Sequence, residues 1–462
     1  MIRCNFFRLI AFLLVASLTA LGTAPAARAD SRKPQAPRMD FIRDAEIEHD
    51  LRVMATPLMR AAALDPDAVQ FILVQDKALN AFVAGGMNVF LTTGLIQSTE
   101  TPDQLIGVIA HELGHIAGGH LVRGTEAMHN ASVEAIIGIV AGLAAGVLAQ
   151  SSEAGMATIG GAQELAQRNY FSFSRAVEGS ADAAAMRFLD RAGFSARGLY
   201  EFMKKLKGQE YTPSSRQTKY VRTHPMAQDR IDAIAHHVEL SAASDKKLPP
   251  GYDVMYARTK AKLLGFLQPE NALLRTTDKD PKLTARYARA IAFYRTGHLD
   301  KAGILLDGLT QEEPKNPFFH ELRGQMMYEN GRIAESITAY RRSVELLPES
   351  ALLQAAFGQA LLQGNDGAEL EEAITHLQEA ARLEPQSPAV WRGLATAWGR
   401  KAETSDVKSW RGMAHYALAE EALARDDEDK AKKLAELALK NLPANSPYRL
   451  RAQDIKLVKE RE

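Results

Sequence analysis

The five residues His111-Glu112-Leu113-Gly114-His115 set two imidazoles and a carboxylate at a spacing that a helix turns into a site. Residues four apart share a helix face, so His111 and His115 can present two nitrogens to one metal ion while Glu112 leans toward the space beside it. The chemistry implied is zinc-assisted hydrolysis. Zinc acidifies water toward a pKa of about 7 and polarises a carbonyl, and Glu112 takes the proton and returns it to the leaving amine. A peptide bond is the natural substrate. Two histidines do not complete such a site, and the candidate third ligand is Glu178, in Ser174-Arg175-Ala176-Val177-Glu178-Gly179-Ser180-Ala181-Asp182. On a second helix, Glu178 and Asp182 share a face. His111, His115 and Glu178 would then hold one zinc ion per chain with a fourth position open. Asp182 would accept a hydrogen bond from the far nitrogen of a ligand histidine.

Two more residues are candidates. His224, in Thr223-His224-Pro225, reads as a loop residue. It is either simply solvent-exposed or functional, as a hydrogen-bond donor to a developing oxyanion or as a fourth zinc ligand that closes a latent site. Arg230 follows closely enough to join it. His120 lies nine residues after His111, off the ligand face and behind Gly118-Gly119, which should end the helix; a surface position is expected.

These residues need a scaffold, and the flanking sequence describes one. Helical periodicity runs from about Asp40 to Ala63, and a strand-like run, Phe71 to Val74, follows. Ala81 to Ala84 and Val89 to Thr92 flank Gly85-Gly86, which predicts a small antiparallel hairpin. Thr101-Pro102-Asp103-Gln104 then opens the helix that carries the histidines: a Thr cap, Pro at the first position, an acid in the first turn and Gln at the capping-box position. Leu105, Ile106, Val108, Ile109 and Leu113 can pack that helix into a core. From Ala135 to Ala149 every residue is apolar or glycine, short for a membrane span, and reads as a buried or interfacial helix hairpin.

Asp245 to Gly251 marks a boundary, and a connecting helix is expected near Val254 to Leu267. Beyond it landmarks recur every 34 residues: Gly297 and Gly331, Ala302 and Ser336, Ala288 and Leu322, Pro314 and Pro348. That is the tetratricopeptide period, two antiparallel helices per unit. A last unit runs from Met413 to Pro443. The expected domains are residues 30–245, a linker at 246–281, and repeats at 282–462.

The chain has 462 residues, 24% of them charged and with no net charge, so nothing in its composition suggests nucleic acid. Arg3 and Arg8, the apolar run Leu9 to Leu21 and Ala27-Arg28-Ala29 read as a signal peptide over residues 1–29, removed on export. The only cysteine, Cys4, lies within it, which excludes thiol catalysis and cysteine-ligated zinc in the mature chain and suits an oxidising compartment such as a periplasm.

Together, Asn80 to Ile96, His111 to His115, Ser174 to Asp182 and Thr223-His224-Pro225 resemble the gluzincin metallopeptidases that include HtpX and the CAAX prenyl protease. The order of signal peptide, peptidase and repeats resembles the periplasmic BepA type. The resemblance implies a mostly helical α+β fold: a zincin-type metallopeptidase domain with a small antiparallel sheet, followed by an α-solenoid of tetratricopeptide repeats. It implies His111, His115 and Glu178 as zinc ligands, Glu112 as base, Asp182 behind a ligand, and His224 as a residue able to occupy the zinc and hold the enzyme inactive. Gly179-Ser180 departs from relatives that often carry another acid there. The strand around Val89 to Leu91 is expected to pair with extended substrate. Expected substrates are unfolded or stalled outer-membrane proteins, whose unpaired strand edges such a protease could grip. The repeats are expected to recruit substrates or the assembly machinery, and residues 135–149 to form a lid or to touch a membrane. The alternative is a chaperone or scaffold for barrel assembly, with the peptidase usually shut.

Overall fold

The computed structural model describes residues 40–84, 86–120, 175–211, 213, 216–364, 367–405 and 407–457. The expected signal peptide and the apolar stretch 135–149 lie outside the described residues. Among the described residues no helix is long and apolar enough to cross a membrane.

The chain enters on β1 (Phe41–Ile42), where helical periodicity had been expected to begin, and then forms α1 (Ala45–Ala61). Asp44 ends the strand because its side chain accepts from the Ile47 amide at 2.9 Å, capping the helix that follows. β2 (Gln70–Val74), β3 (Ala81–Ala84) and β4 (Asn88–Thr92) complete a sheet of order β1-β2-β4-β3. β3 and β4 form the expected antiparallel hairpin, with Gly86 at φ +95 in its turn. The sheet as a whole is mixed rather than antiparallel, because β2 runs parallel to β4 in the register Phe71↔Val89 and Leu73↔Leu91.

This topology corrects one expectation. Val89 to Leu91 belongs to a strand paired on both sides, so it has no free hydrogen-bonding edge for substrate; the outer strand of the hairpin is β3. The core face of the sheet, with Phe71, Leu73, Val89 and Leu91, packs with Leu51, Met54 and Leu58 of α1.

After α2 (Thr93–Ser98), α3 (Pro102–Ala117) carries the histidine motif. Its start follows the sequence closely: Thr101 Oγ1 accepts from the Gln104 amide at 3.3 Å, and Gln104 Oε1 accepts from the Glu100 amide at 2.9 Å. Leu105, Ile106, Val108, Ile109 and Leu113 are all buried.

The helix Tyr252–Leu267 belongs to both halves of the chain, since Leu263 joins the peptidase core and Ala261 the core of the first solenoid helices. From Leu283 onward paired helices follow one another, and Gly297 (φ +80) and Gly331 (φ +75) turn the first two pairs. Charged pairs, the Lys262 and Glu46 group among them buried, tie the start of α1 to this solenoid. Lys262, 1% exposed, lies 2.9 Å from Asp44, 3.5 Å from Glu46 and 3.4 Å from Glu321. Tyr287 donates to Glu46 at 2.6 Å, Arg258 meets Glu46 at 3.0 Å and Glu313 at 3.2 Å, and Arg43 meets Glu384 at 2.7 Å.

Asp50 is buried beside this cluster. Burial and the nearby Glu46 carboxylate push it up to about 8 from an ordinary 3.8, against the pull of Arg258 and Lys262. A carboxyl with a raised folded-state pKa takes up a proton on folding, so its contribution favours the fold at low pH and is lost as pH rises from near 4 toward 8. The variant Asp50→Asn, neutral at every pH, should melt close to wild type near pH 4 and increasingly above it up to pH 9. Parallel melting profiles would contradict a protonated Asp50.

Candidate metal centre

Four elements converge on one point. α3 contributes His111, Glu112 and His115; the helix at 175–192 contributes Glu178 and Asp182; His224 follows the short helix Lys219–Thr223; and Arg230 stands in Gln228–Leu240. All seven side chains are buried. The first two helices cross at Gly114, where an added Cβ would lie 2.6 Å from the Ala181 carbonyl oxygen. Only glycine permits that approach, and the approach brings Glu178 to the histidines.

His111 Nε2 lies 3.1 Å from His115 Nε2, 3.3 Å from His224 Nδ1 and 3.3 Å from Glu178 Oε2. Glu178 lies 3.5 Å from His115 Nε2 and 3.2 Å from His224 Nδ1. A tetrahedron with edges of about 3.3 Å has its centre about 2.0 Å from each corner, the bond length of an imidazole or carboxylate on a first-row metal ion. His111, His115, Glu178 and His224 each offer one ligand atom, all within 4.8 Å of one another, a set that could hold one ion.

The surroundings support a cation. Asp182 Oδ1 is 2.8 Å from His111 Nδ1, and both Asp182 oxygens accept from Arg230, at 2.6 and 2.9 Å. Arg230 also reaches Glu178 at 3.1 Å and donates to the Pro225 carbonyl at 2.7 Å, pinning the loop that carries His224. Burial works against protonation of His111, yet Asp182 and Glu178 hold it up at about 10. Burial and the charge of His111 drive His115 down to about 2. Burial alone would raise Glu178, but His224 and His111 keep it well below the carboxylate range.

Glu112 differs from its neighbours. Neither of its oxygens accepts a hydrogen bond among the described residues, and burial raises its pKa. A buried carboxylate with no hydrogen bond of its own, 3.5 Å from His224 Nε2 and beside a set of metal-binding atoms, is poised to take a proton.

His120 is corrected by the structure. It is 7% exposed, and its Nδ1 lies 3.1 Å from His115 Nδ1, the nitrogen opposite the one that joins the cluster. Extrapolating the helix past Gly118-Gly119 misplaced it: Gly119 has φ +62 and turns the chain back, so that the His120 ring lies over Gly118, where a Cβ would come within 2.3 Å of it. Tyr220 was also missed, since a tyrosine in a short amphipathic run carries no signal of a site. Its ring stacks on His224 with centroids 4.5 Å apart. Because His120 backs a metal-facing ring, His120→Ala should weaken metal binding by about 10- to 100-fold in competition with a chelator, and His120→Gln should recover part of it. Unchanged affinity would reduce His120 to packing.

The sequence profile of peptidase family M48 matches residues 42–238, and a tetratricopeptide-repeat profile matches residues 282–410. The chain is 27% identical over 336 residues to the beta-barrel assembly-enhancing protease of Yersinia pestis, covering 71% of this chain and 67% of that one. It is 25% identical over 350 residues to a putative beta-barrel assembly-enhancing protease of Vibrio cholerae, covering 74% and 70%. With the protein of that name from Escherichia coli strain K12 it shares 27% identity over 304 residues, covering 65% and 61%. The chain therefore combines a metalloprotease domain of peptidase family M48 with a tetratricopeptide-repeat domain.

Proposed function

We propose that this chain is a zinc-dependent endopeptidase of the periplasm, acting on outer-membrane β-barrel proteins caught in assembly and closed at rest by His224. The observation that carries the reading is the set of ligand-to-ligand distances of 3.1 to 3.5 Å beside a buried Glu112 that has no hydrogen bond of its own. Imidazole and carboxylate donors at tetrahedral separation suit zinc. Zinc held by His111, His115 and Glu178 would polarise a scissile carbonyl and acidify a water. Glu112 takes the proton of the attacking water and delivers it to the leaving nitrogen. Asp182 orients His111 through Nδ1, and Arg230 offsets the buried charge of Asp182 and Glu178 while holding Pro225.

Of the two roles open to His224 from sequence, the geometry favours the closing ligand. Its Nδ1 lies within the ligand set, while Nε2 is 3.2 Å from the Ala81 carbonyl oxygen. A proton on Nε2, donated to that oxygen, leaves the Nδ1 lone pair free for a metal. Movement of His224 would open the fourth position to substrate.

The relatives' names and the export signal read at the N-terminus support a periplasmic role in barrel assembly, and the repeats suit recruitment of protein substrates or of the assembly machinery. The closed ligand set also favours a second reading, in which the repeats act as a chaperone or scaffold while the peptidase is usually shut. In that case Glu112→Gln would still support barrel assembly in cells.

Zinc content and casein cleavage of three full-length proteins test the proposal. Glu112→Gln should keep its zinc and lose at least about a hundredfold in rate, and His224→Ala should cleave faster than wild type. Wild-type cleavage by Glu112→Gln would overturn the base assignment. A dead, zinc-loaded His224→Ala would point instead to an oxyanion donor.

A further inference from the structure

Among the described residues β3 is the outermost strand of the sheet on the side of the metal centre, and its backbone groups are sorted by its pairing with β4. The Thr92 amide donates to the Asn80 carbonyl at 3.1 Å, and Phe82 stands opposite Phe90, the next hydrogen-bonded position. Ala81 and Val83 therefore turn their amides and carbonyls outward, away from β4. The contact between the Ala81 carbonyl and His224 shows that this edge runs directly past the cluster.

The outer face of the same sheet carries an apolar row across its middle, with the polar pair Gln70 and Asn88 to one side of it. Phe82 stacks on Phe90 with ring centroids 4.8 Å apart and planes 3° from parallel, and Phe90 lies 6.2 Å from Phe41. Ile72 sits opposite Phe90 on β2. Phe41 is 54% exposed and Met87, in the hairpin turn, 41%. An aromatic row thus crosses the sheet and ends at Phe82, on the free edge.

We propose that this row is a specificity surface for polypeptide added to β3, selecting an extended strand with an aromatic side chain at the position beside Phe82. The inference rests on the metallopeptidase reading above. Main-chain hydrogen bonds to Ala81 and Val83 accept any sequence, so selection falls to the side chains on the face. In an antiparallel addition the residue opposite Phe82 takes the close, non-hydrogen-bonded pairing, with Cα atoms about 4.5 Å apart. Aromatic cross-strand pairs are favoured there. Ala81, beside His224, puts that residue one position from the point nearest the cluster. An amphipathic β-strand detached from its sheet, with aromatic and polar residues alternating, satisfies edge and face together.

The test is a series of decapeptides in which one phenylalanine is moved stepwise through a Thr/Ser host, cleaved by the full-length protein and by Phe82 variants. Wild type should prefer the aromatic at one position by about five- to tenfold in kcat/KM. Phe82→Tyr should keep that ratio, whereas Phe82→Ala and the better-packed Phe82→Leu should flatten it. Equal cleavage of the whole series by wild type, or the same ratio in Phe82→Leu, would overturn the inference and leave the peptidase standing. Failure of both wild type and the opened His224→Ala protein to cleave either these peptides or casein would overturn the metallopeptidase reading, and this one with it.

Discussion

Three carboxylates, Glu112, Glu178 and Asp182, are buried within one group, and a protein interior tolerates that only when positive charge is supplied. Arg230 supplies one charge, bonded to Asp182 and reaching Glu178. Two negative charges remain, the balance of a divalent cation. Without an ion, the protein can meet part of that demand by protonating His111, as its upward shift records, and Glu112 is pushed toward its neutral form by burial. A metal ion in the same place replaces protons that the site would otherwise have to hold.

The scaffold can be read as the means of keeping that charge group together. The motif helix is capped by Thr101 and packed by its apolar stripe, and Gly114 lets the carboxylate helix approach at Ala181. Arg230 ties that helix to the loop bearing His224 through the Pro225 carbonyl. The loop then touches β3, so the ligand set and the sheet edge meet in one imidazole. A strand added to β3 would compete with His224 for the Ala81 carbonyl, which would connect that histidine physically to the path of a substrate.

What could be read from the sequence was local or periodic. Four-residue spacing placed His111 with His115 and Glu178 with Asp182, the capping residues placed the start of α3, and a 34-residue period placed the solenoid. What could not be read depended on partners distant in the chain. The parallel pairing of β2 with β4 buried the Val89 to Leu91 edge and left β3 outermost, because pairing order in a sheet is set by tertiary packing rather than by alternation within a strand. His120 was misplaced by one positive φ at Gly119. The neighbours of His224, the ligand atoms at Nδ1 and the Ala81 carbonyl at Nε2, come from distant parts of the chain and could not be read from Thr223-His224-Pro225.

The central claim is that His224 completes a four-ligand zinc site in the resting protein. X-ray absorption at the zinc edge of the full-length, zinc-loaded chain tests it most directly. The account predicts a shell of three imidazole nitrogens and one carboxylate oxygen at about 2.0–2.1 Å, losing one imidazole in His224→Ala. A resting shell of two imidazoles, unchanged by that substitution, would contradict it.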